Sequence, residues 1–142
     1  MTRVGFYIVE NTDTSSRTRL ALRLTEKAHK QGHRVFINSE NEAQARELDE
    51  LLWTFRPASF LPHALCSDDS SEQICIGWGQ EPAGHDDLLI NLQLSVPDFI
   101  GRFQRVAELV NQEPARLEAL RHSWRHYRER GYALEEHRLP SV

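Results

Sequence analysis

The chain has little of several residue types that mark large classes of proteins. Its 142 residues include two cysteines, seven glycines and six prolines. That is too few cysteines for a disulfide framework or a four-cysteine zinc site, and too little glycine and proline for a fibrous or disordered chain. No apolar run approaches the roughly 18 residues that a membrane-spanning helix needs. The composition predicts a single globular domain over residues 1–142 that is cytoplasmic, without a membrane span or an export signal.

An excess of positive charge is missing as well. The formal net charge is -4 at pH 7, so the molecule as a whole does not attract polyanions. Residues 116–130 are an exception, because they hold five arginines and two glutamates, a local charge of +3 that leaves -7 for the rest of the chain. Contact with an anionic partner is therefore predicted at this segment.

The first strand-to-helix turn contains no glycine. This turn, Glu10–Ser16, follows the apolar run Val4–Val9 and precedes a helical pattern that begins near Arg17. Nucleotide-binding folds need glycine here, because the backbone must approach the phosphates closely. A dinucleotide-binding or phosphate-loop function is therefore disfavoured. We interpret the Asp13, Thr14 and Ser15 side chains as groups that start the helix, and the alternative is that they hold an anion.

Apolar runs and helical periodicities alternate along the chain, as is typical of a parallel α/β sheet. The first half is predicted to contain strand Val4–Val9, helix Arg17–Gly32, strand Arg34–Asn38 and a helix opened by Ser39 and Glu42 and ended by Pro57. The second half is predicted to contain strands Gln73–Trp78 and Asp87–Leu92, then a helix capped by Ser95 and Asp98, and a last helix Pro114–Gly131. The helix capped by Ser95 and Asp98 carries Phe99, Phe103, Val106 and Val110 on one face.

The two strands in the second half are joined by the link 79–86, which is too short for a helical crossover and favours an antiparallel pair. The predicted fold class is α/β: a single three-layer domain with a mixed, mostly parallel sheet flanked by helices, similar to nucleotide-binding folds but without a phosphate loop. Residues 132–142 are predicted to be a C-terminal tail.

No set of residues indicates catalysis or metal binding. His122 and His126 are four residues apart on the last helix, but Ser123 stands where a zinc protease has glutamate, and a third ligand is not evident. We therefore interpret both histidines as surface residues. Cys66 and Cys75 are interpreted as a loop thiol and a core residue. The prediction is a protein without catalytic residues, cofactor or metal.

A cluster of aromatic and proline side chains surrounds the end of the second helix. Trp53 lies about 100° around that helix from Leu52, off the core stripe, so it is predicted to be partly exposed. The cluster continues with Phe55, Pro57, Phe60, Leu61 and Pro62. Rigid aromatic side chains are enriched at protein interfaces. The alternative is that Trp53 and Phe60 fold back over the edge of the sheet.

The last helix carries a second feature. Arg121, Trp124, Arg125 and Arg128 have the spacing i, i+3, i+4, i+7 and share one face. A basic strip beside an aromatic wall suits an acidic peptide with a hydrophobic end or a C-terminal carboxylate, and it also suits a phosphate backbone. The alternative is a solvated helix face with Trp124 in the core.

With these two features, the chain resembles the chi subunit family of the bacterial DNA polymerase III holoenzyme. The resemblance covers essentially the whole chain, and its most specific part is RPASFLPH. The segments that carry it are GFYIVE, HRVFINSENEAQARELDELLW, RPASFLPH, DLLINL and the final basic helix ending in RERGY.

The resemblance implies a non-catalytic accessory protein of DNA replication. It also implies two protein partners: the psi subunit, which joins chi to the clamp loader, and the acidic, hydrophobic-ended C-terminal tail of single-stranded DNA-binding protein (SSB). Some relatives bind a helicase-like repair partner through the psi surface. DNA would be contacted only indirectly, in the bacterial cytoplasm.

Carried over by position, the resemblance implies a residue set for each surface. The psi-binding set is Trp53, Phe55, Pro57, Phe60, Pro62 and His63. The SSB-tail-binding set is Val110, Arg121, Trp124, Arg125 and Arg128. Well-known members have tyrosine and lysine where this chain has Trp124 and Arg125, which preserves ring and charge.

Two functions of other classes remain as alternatives. One is a module that binds single-stranded nucleic acid directly through the last helix, against which stand the acidic remainder of the chain and the lack of aromatics spaced for base stacking. The other is an α/β enzyme, which would need a phosphate-lined or metal-bearing pocket that these residues do not assemble.

Overall fold

Strands and helices alternate along the computed structural model, which describes residues 2–54, 61–66 and 72–140. The elements are β1 Arg3–Val9, α1 Thr14–Lys30, β2 Val35–Asn38, α2 Glu42–Thr54, β3 His63–Leu65, β4 Ile74–Gly77, β5 Leu88–Asn91, a short 3-10 helix Ile100–Arg102, β6 Arg105–Val110, α3 Pro114–Glu129 and β7 Ala133–Leu139. No helix in these ranges is long and apolar enough to span a bilayer.

The sheet confirms the α/β class but corrects the predicted strand directions. The seven described strands have the order β3-β4-β2-β5-β6-β1-β7, and every pair is parallel. The predicted antiparallel pair of β4 and β5 is wrong, because β2 lies between them and Ile37 is opposite both Ile76 and Ile90. β2 and β4 are buried along their whole length, as expected of strands inside a parallel sheet.

Helices cover both faces of the sheet, so the predicted three-layer arrangement is confirmed. On one face, Leu20 of α1 and Leu48 of α2 belong to the same core cluster as Ile37. On the other face, Tyr127 of α3 packs with Phe6 in a second cluster that also contains Phe103. The ends of α2 and the outer face of α3 therefore lie on opposite sides of the sheet.

Two predicted elements in the last third are wrong. The segment expected to form a helix through Val110 is the 3-10 helix followed by β6. Its apolar spacing also fits a strand buried on both faces, with Val106 opposite Val4 and Leu89. The predicted tail contains β7, which pairs with β1 at one edge of the sheet. Most of the β7 side chains are exposed or half-exposed, so no apolar run marks this strand.

Smaller differences concern the helix ends and the cysteines. The oxygen Oδ1 of Asn41, in place of the expected Ser39, accepts a bond of 2.8 Å from the backbone N–H of Gln44 at the start of α2. Cys75 is a core residue, as interpreted, but Cys66 is not a free loop thiol, because the structure joins the two residues by a disulfide with their Cα atoms 5.5 Å apart. Pairing of β3 with β4 brings these two residues together.

Candidate protein-binding groove on the last helix

The crevice where open α/β folds commonly bind ligands is bridged here by the chain itself. Helix α1 follows β1 on one face and α3 follows β6 on the other, so the crevice lies at the carboxyl ends of β1 and β6. The backbone N–H of Gln112 donates to the Asn11 carbonyl at 2.9 Å, and Asn111 Nδ2 donates to the Asp13 carbonyl at 3.2 Å. The two loops that would border a ligand are thus bonded to each other.

Next to this crevice, the guanidinium of Arg17 fills the carboxyl edge of the sheet. Arg17 is 2 % exposed, and it donates to the carbonyls of Leu109 at 3.0 Å and Leu92 at 2.5 Å. Its Nη1 also pairs with Glu40 at 3.0 Å, and Arg116 pairs with the same carboxylate. Burial lowers the pKa of Arg17 to about 10, so the group stays charged at neutral pH.

A buried carboxyl group fixes α3 to the sheet. The Tyr127 hydroxyl donates to Glu108 Oε2 at 2.6 Å, and Asn91 Nδ2 donates to Glu108 Oε1 at 3.0 Å. Burial raises the pKa of Glu108 to about 7, and the hydrogen bonds from Tyr127 and Asn91 oppose that increase. Because Tyr127 is itself anchored, the outward side chains of α3 have a defined position relative to β1 and β7.

The outer face of α3 borders a cavity of about 350 Å³, which we call the α3 groove. Its lining residues are Ile8, Leu120, Arg121, Trp124, Arg125, Arg128 and Glu136. Trp124 is half-buried, and its ring centroid lies 5.0 Å from that of Phe6. One side of the Trp124 ring therefore packs against the core, and the other side forms a wall of the groove.

The arginines of the α3 groove carry uncompensated charge. Arg121, Arg125 and Arg128 are exposed, and none of them forms an ion pair with another described residue. The acidic residue of the groove, Glu136, pairs with Arg138 at 2.6 Å. The groove thus combines an apolar floor with three cations that are available to an anionic ligand.

The structure brings four of the five predicted tail-binding residues into this groove and places the fifth behind it. Val110 is buried, and it lies opposite Ile8 in the pairing of β1 with β6. Ile8 and Glu136 were not predicted as groove residues. Periodicity along α3 could not have found them, because they come from β1 and β7, and β7 was expected to be tail.

The aromatic cluster at the end of α2 is partly described. Trp53 is 56 % exposed, which contradicts the alternative that it folds back over the sheet, and its ring lies 4.4 Å from that of His63. His63 is buried, with Nδ1 at 2.5 Å from the Leu61 carbonyl and Nε2 at 3.0 Å from the Asp49 carbonyl. The buried His63 ring therefore packs against the exposed Trp53 ring and helps to hold it in place.

Of the remaining members of the predicted psi-binding set, Pro62 is half-buried beside His63. Phe55, Pro57 and Phe60 lie outside the described residues. Elsewhere on the surface, His122 is exposed and His126 packs edge-on against Tyr127 at 6.0 Å. Within residues 2–54, 61–66 and 72–140, no group of three or more His, Cys, Asp or Glu side chains could hold a metal ion.

The open, parallel sheet with helices on both faces places this chain in the class of doubly wound α/β proteins. Within this class, the chain belongs to the family described as DNA polymerase III chi subunit, HolC, whose model matches residues 1–135. This membership supports an accessory role in DNA replication.

Similar proteins come from several bacteria. The DNA polymerase III subunit chi of Pseudomonas aeruginosa is 49% identical over 142 residues, which is 100% of both chains. The subunit chi of Haemophilus influenzae is 34% identical over 91% of this chain and 92% of its own. The subunit chi of Escherichia coli is 31% identical over 94% of this chain and 96% of its own.

Proposed function

We propose that this chain is a non-catalytic adaptor of the bacterial DNA polymerase III holoenzyme and acts in the cytoplasm. In this proposal, the α3 groove binds the acidic C-terminal tail of SSB. The aromatic surface around Trp53 binds the psi subunit and so joins the protein to the clamp loader. The observation that carries the proposal is the groove itself, where three uncompensated arginines surround an apolar floor.

The chemistry of the α3 groove fits a peptide that is acidic and ends in an apolar residue. Arginine binds carboxylates through two parallel hydrogen bonds, and a cavity of about 350 Å³ accepts an apolar side chain between Ile8 and Trp124. The local charge of +3 on an otherwise acidic molecule directs an anionic partner to this helix.

Direct binding of nucleic acid through the same helix is less well supported. The aromatic lining of the groove is Trp124, and one side of its ring is covered by Phe6. Proteins that bind single strands offer a series of aromatic faces on which successive bases stack. The α3 groove has no such series among its lining residues.

Replacing two of the groove arginines tests the tail site. We expect Arg121→Ala plus Arg125→Ala to weaken binding of a labelled acidic tail peptide by about thirtyfold, because two partly exposed charged hydrogen bonds contribute about 2 kcal/mol together. Fluorescence anisotropy measures the affinity. The control, Arg23→Ala plus Arg46→Ala, removes the same charge from the opposite layer. Unchanged binding by the groove variant, or equal weakening by both variants, would sink the site assignment.

The psi surface is tested by co-purification. We expect Trp53→Ala plus Phe60→Ala to abolish recovery of psi with this protein, because an exposed tryptophan held by His63 suits a central interface contact. Leu94→Ala is the matched control, since Leu94 is an exposed large hydrophobic residue at another place, 49% exposed. Retention of psi by the double variant would contradict the assignment. A helicase-like repair partner that uses this surface should compete with psi.

Both partners are expected to bind at once. Helices α2 and α3 lie on opposite faces of the sheet, so the Trp53 surface and the α3 groove do not overlap. The tail peptide should therefore bind the preformed complex with psi as tightly as it binds the isolated protein.

A further inference from the structure

A second cavity, of about 100 Å³, lies between α1 and the sheet, near the amino ends of β1 and β6. Its apolar part includes Leu24, Ala28 and Val106, and its polar part includes Tyr7, Lys27 and Arg105. It is on the face of the sheet opposite the α3 groove. A cavity needs on the order of 10–15 Å³ to hold one water, so this one has room for a larger polar group.

The acidic residues around this cavity already have partners. Glu135 pairs with Arg3 at 2.9 Å. Asp87 pairs with His33 at 2.9 Å and accepts a bond of 3.2 Å from the backbone N–H of Arg34. Neither acid forms an ion pair with Lys27 or Arg105.

Three donors of the cavity are left without partners. Among the described residues, the Tyr7 hydroxyl, the Lys27 ammonium and the Arg105 guanidinium form no side-chain hydrogen bond or ion pair. The Tyr7 ring lies over Gly5, where a Cβ atom would be 3.1 Å from the ring, and stacks on His137 with a centroid distance of 4.6 Å. This packing fixes the direction of the hydroxyl.

The electrostatics keep this hydroxyl protonated. Burial raises the pKa of Tyr7, and the charge of Arg105 acts in the opposite direction. At neutral pH the cavity therefore offers one neutral donor and two positive charges at its polar end.

We propose that this cavity binds the phosphate group of a phosphomonoester, held by Tyr7, Lys27 and Arg105. A phosphomonoester carries a charge of about -1.5 to -2 at pH 7, and the two unpaired cations, Lys27 and Arg105, attract it. Arginine and lysine are the side chains that proteins use for phosphate. A wider opening beside the cavity, lined by residues that include Arg3, His33 and Gln104, leaves space for the rest of the ligand.

A free nucleoside monophosphate and the phosphorylated end of a DNA strand share this chemistry. NMR titrations of the full chain distinguish them, with inorganic phosphate, a nucleoside monophosphate and a short oligodeoxynucleotide with or without a 5′-phosphate as probes. We expect saturable shifts at the amides of Tyr7, Lys27 and Arg105 with phosphate. Binding of the monophosphate alone would assign a free nucleotide, and binding of the phosphorylated oligonucleotide as well would assign a strand end.

Variants test two of the three donors, the Tyr7 hydroxyl and the Lys27 ammonium. Tyr7→Phe, which keeps the ring, and Lys27→Gln should each weaken phosphate binding by about tenfold, while Lys30→Gln, the same charge change on the same helix, should leave it unchanged. Binding of the tail peptide reports that the variants are folded. Three results would overturn the proposal: no saturable shift with phosphate, binding of the unphosphorylated oligonucleotide as tight as that of the phosphorylated one, or equal weakening by Lys27→Gln and Lys30→Gln.

Discussion

Arg17→Ala is expected to lower the free energy of unfolding by about 3–5 kcal/mol, which is the cost of breaking a buried charged network. The substitution removes the side-chain donor to the Leu109 carbonyl in β6 and leaves the Leu92 carbonyl, just after β5, with the donor Arg116 alone. It also leaves Glu40 with one cationic partner fewer and opens a cavity under α1. A buried carbonyl without a hydrogen bond is costly, so we expect Arg17→Met, which restores most of the volume, to rescue little of the loss.

Urea unfolding at pH 7 measures this effect. Arg23→Ala is the control, because Arg23 is an exposed arginine on the same helix and its loss should change stability by less than about 0.5 kcal/mol. A loss of less than 1 kcal/mol for Arg17→Ala, or full rescue by methionine, would show that the carbonyls find other donors and that Arg17 does not hold the carboxyl edge together.

The buried carboxyl group of Glu108 should make stability fall as the pH rises. Its pKa is raised from 4.5 to about 7 in the folded protein, so the folded state keeps this proton after the unfolded state has lost it. Stability from this group is complete below pH 4.5 and is lost as the pH approaches 7. The gap between the two pKa values corresponds to about 3 kcal/mol.

Glu108→Gln should remove this dependence. The amide cannot titrate, and it can still bond to Asn91 and Tyr127, so the variant should gain stability relative to the unsubstituted protein between pH 5 and pH 7.5. Unfolding free energies of the two proteins at several pH values give this difference, in which the other titrating groups cancel. Tyr127→Phe removes a bond that lowers the pKa of Glu108 and should move the transition to higher pH. A stability difference that is independent of pH would contradict the assignment.

Local sequence patterns predict some of the residues that line the α3 groove but not all of them. Its arginines and Trp124 were predictable, because the helical period alone places residues i, i+3, i+4 and i+7 on one face. Ile8 and Glu136 were not, because they enter the groove only through the order of the strands. β7 is half-exposed and carries no apolar run, so its place beside β1 depends on non-local pairing.

Non-local contacts also explain why the occupant of the carboxyl edge beside the crevice was not predicted. The turn between β1 and α1 has no glycine, and in the structure it is hydrogen-bonded to Asn111 and Gln112 after β6. The side chain that occupies the carboxyl edge was not predicted, although a signal existed: Arg17 precedes Leu20 and Ala21 by three and four residues, which puts a cation on the apolar stripe of α1. A charged residue at such a position needs buried acceptors, and strand-end carbonyls supply them.

The strand order also determines when β1 can pair with its neighbouring strands during synthesis of the chain. β1 is made before the other strands, but its neighbours are β6 and β7, which first pair with it at Arg105 and Ala133. Until the ribosome has added residue 105, the apolar side chains of Val4, Phe6 and Ile8 have no strand beside them, and an unpaired apolar strand invites aggregation. Although β1 is made before the other described strands, it is therefore among the last of them to find both of its neighbours.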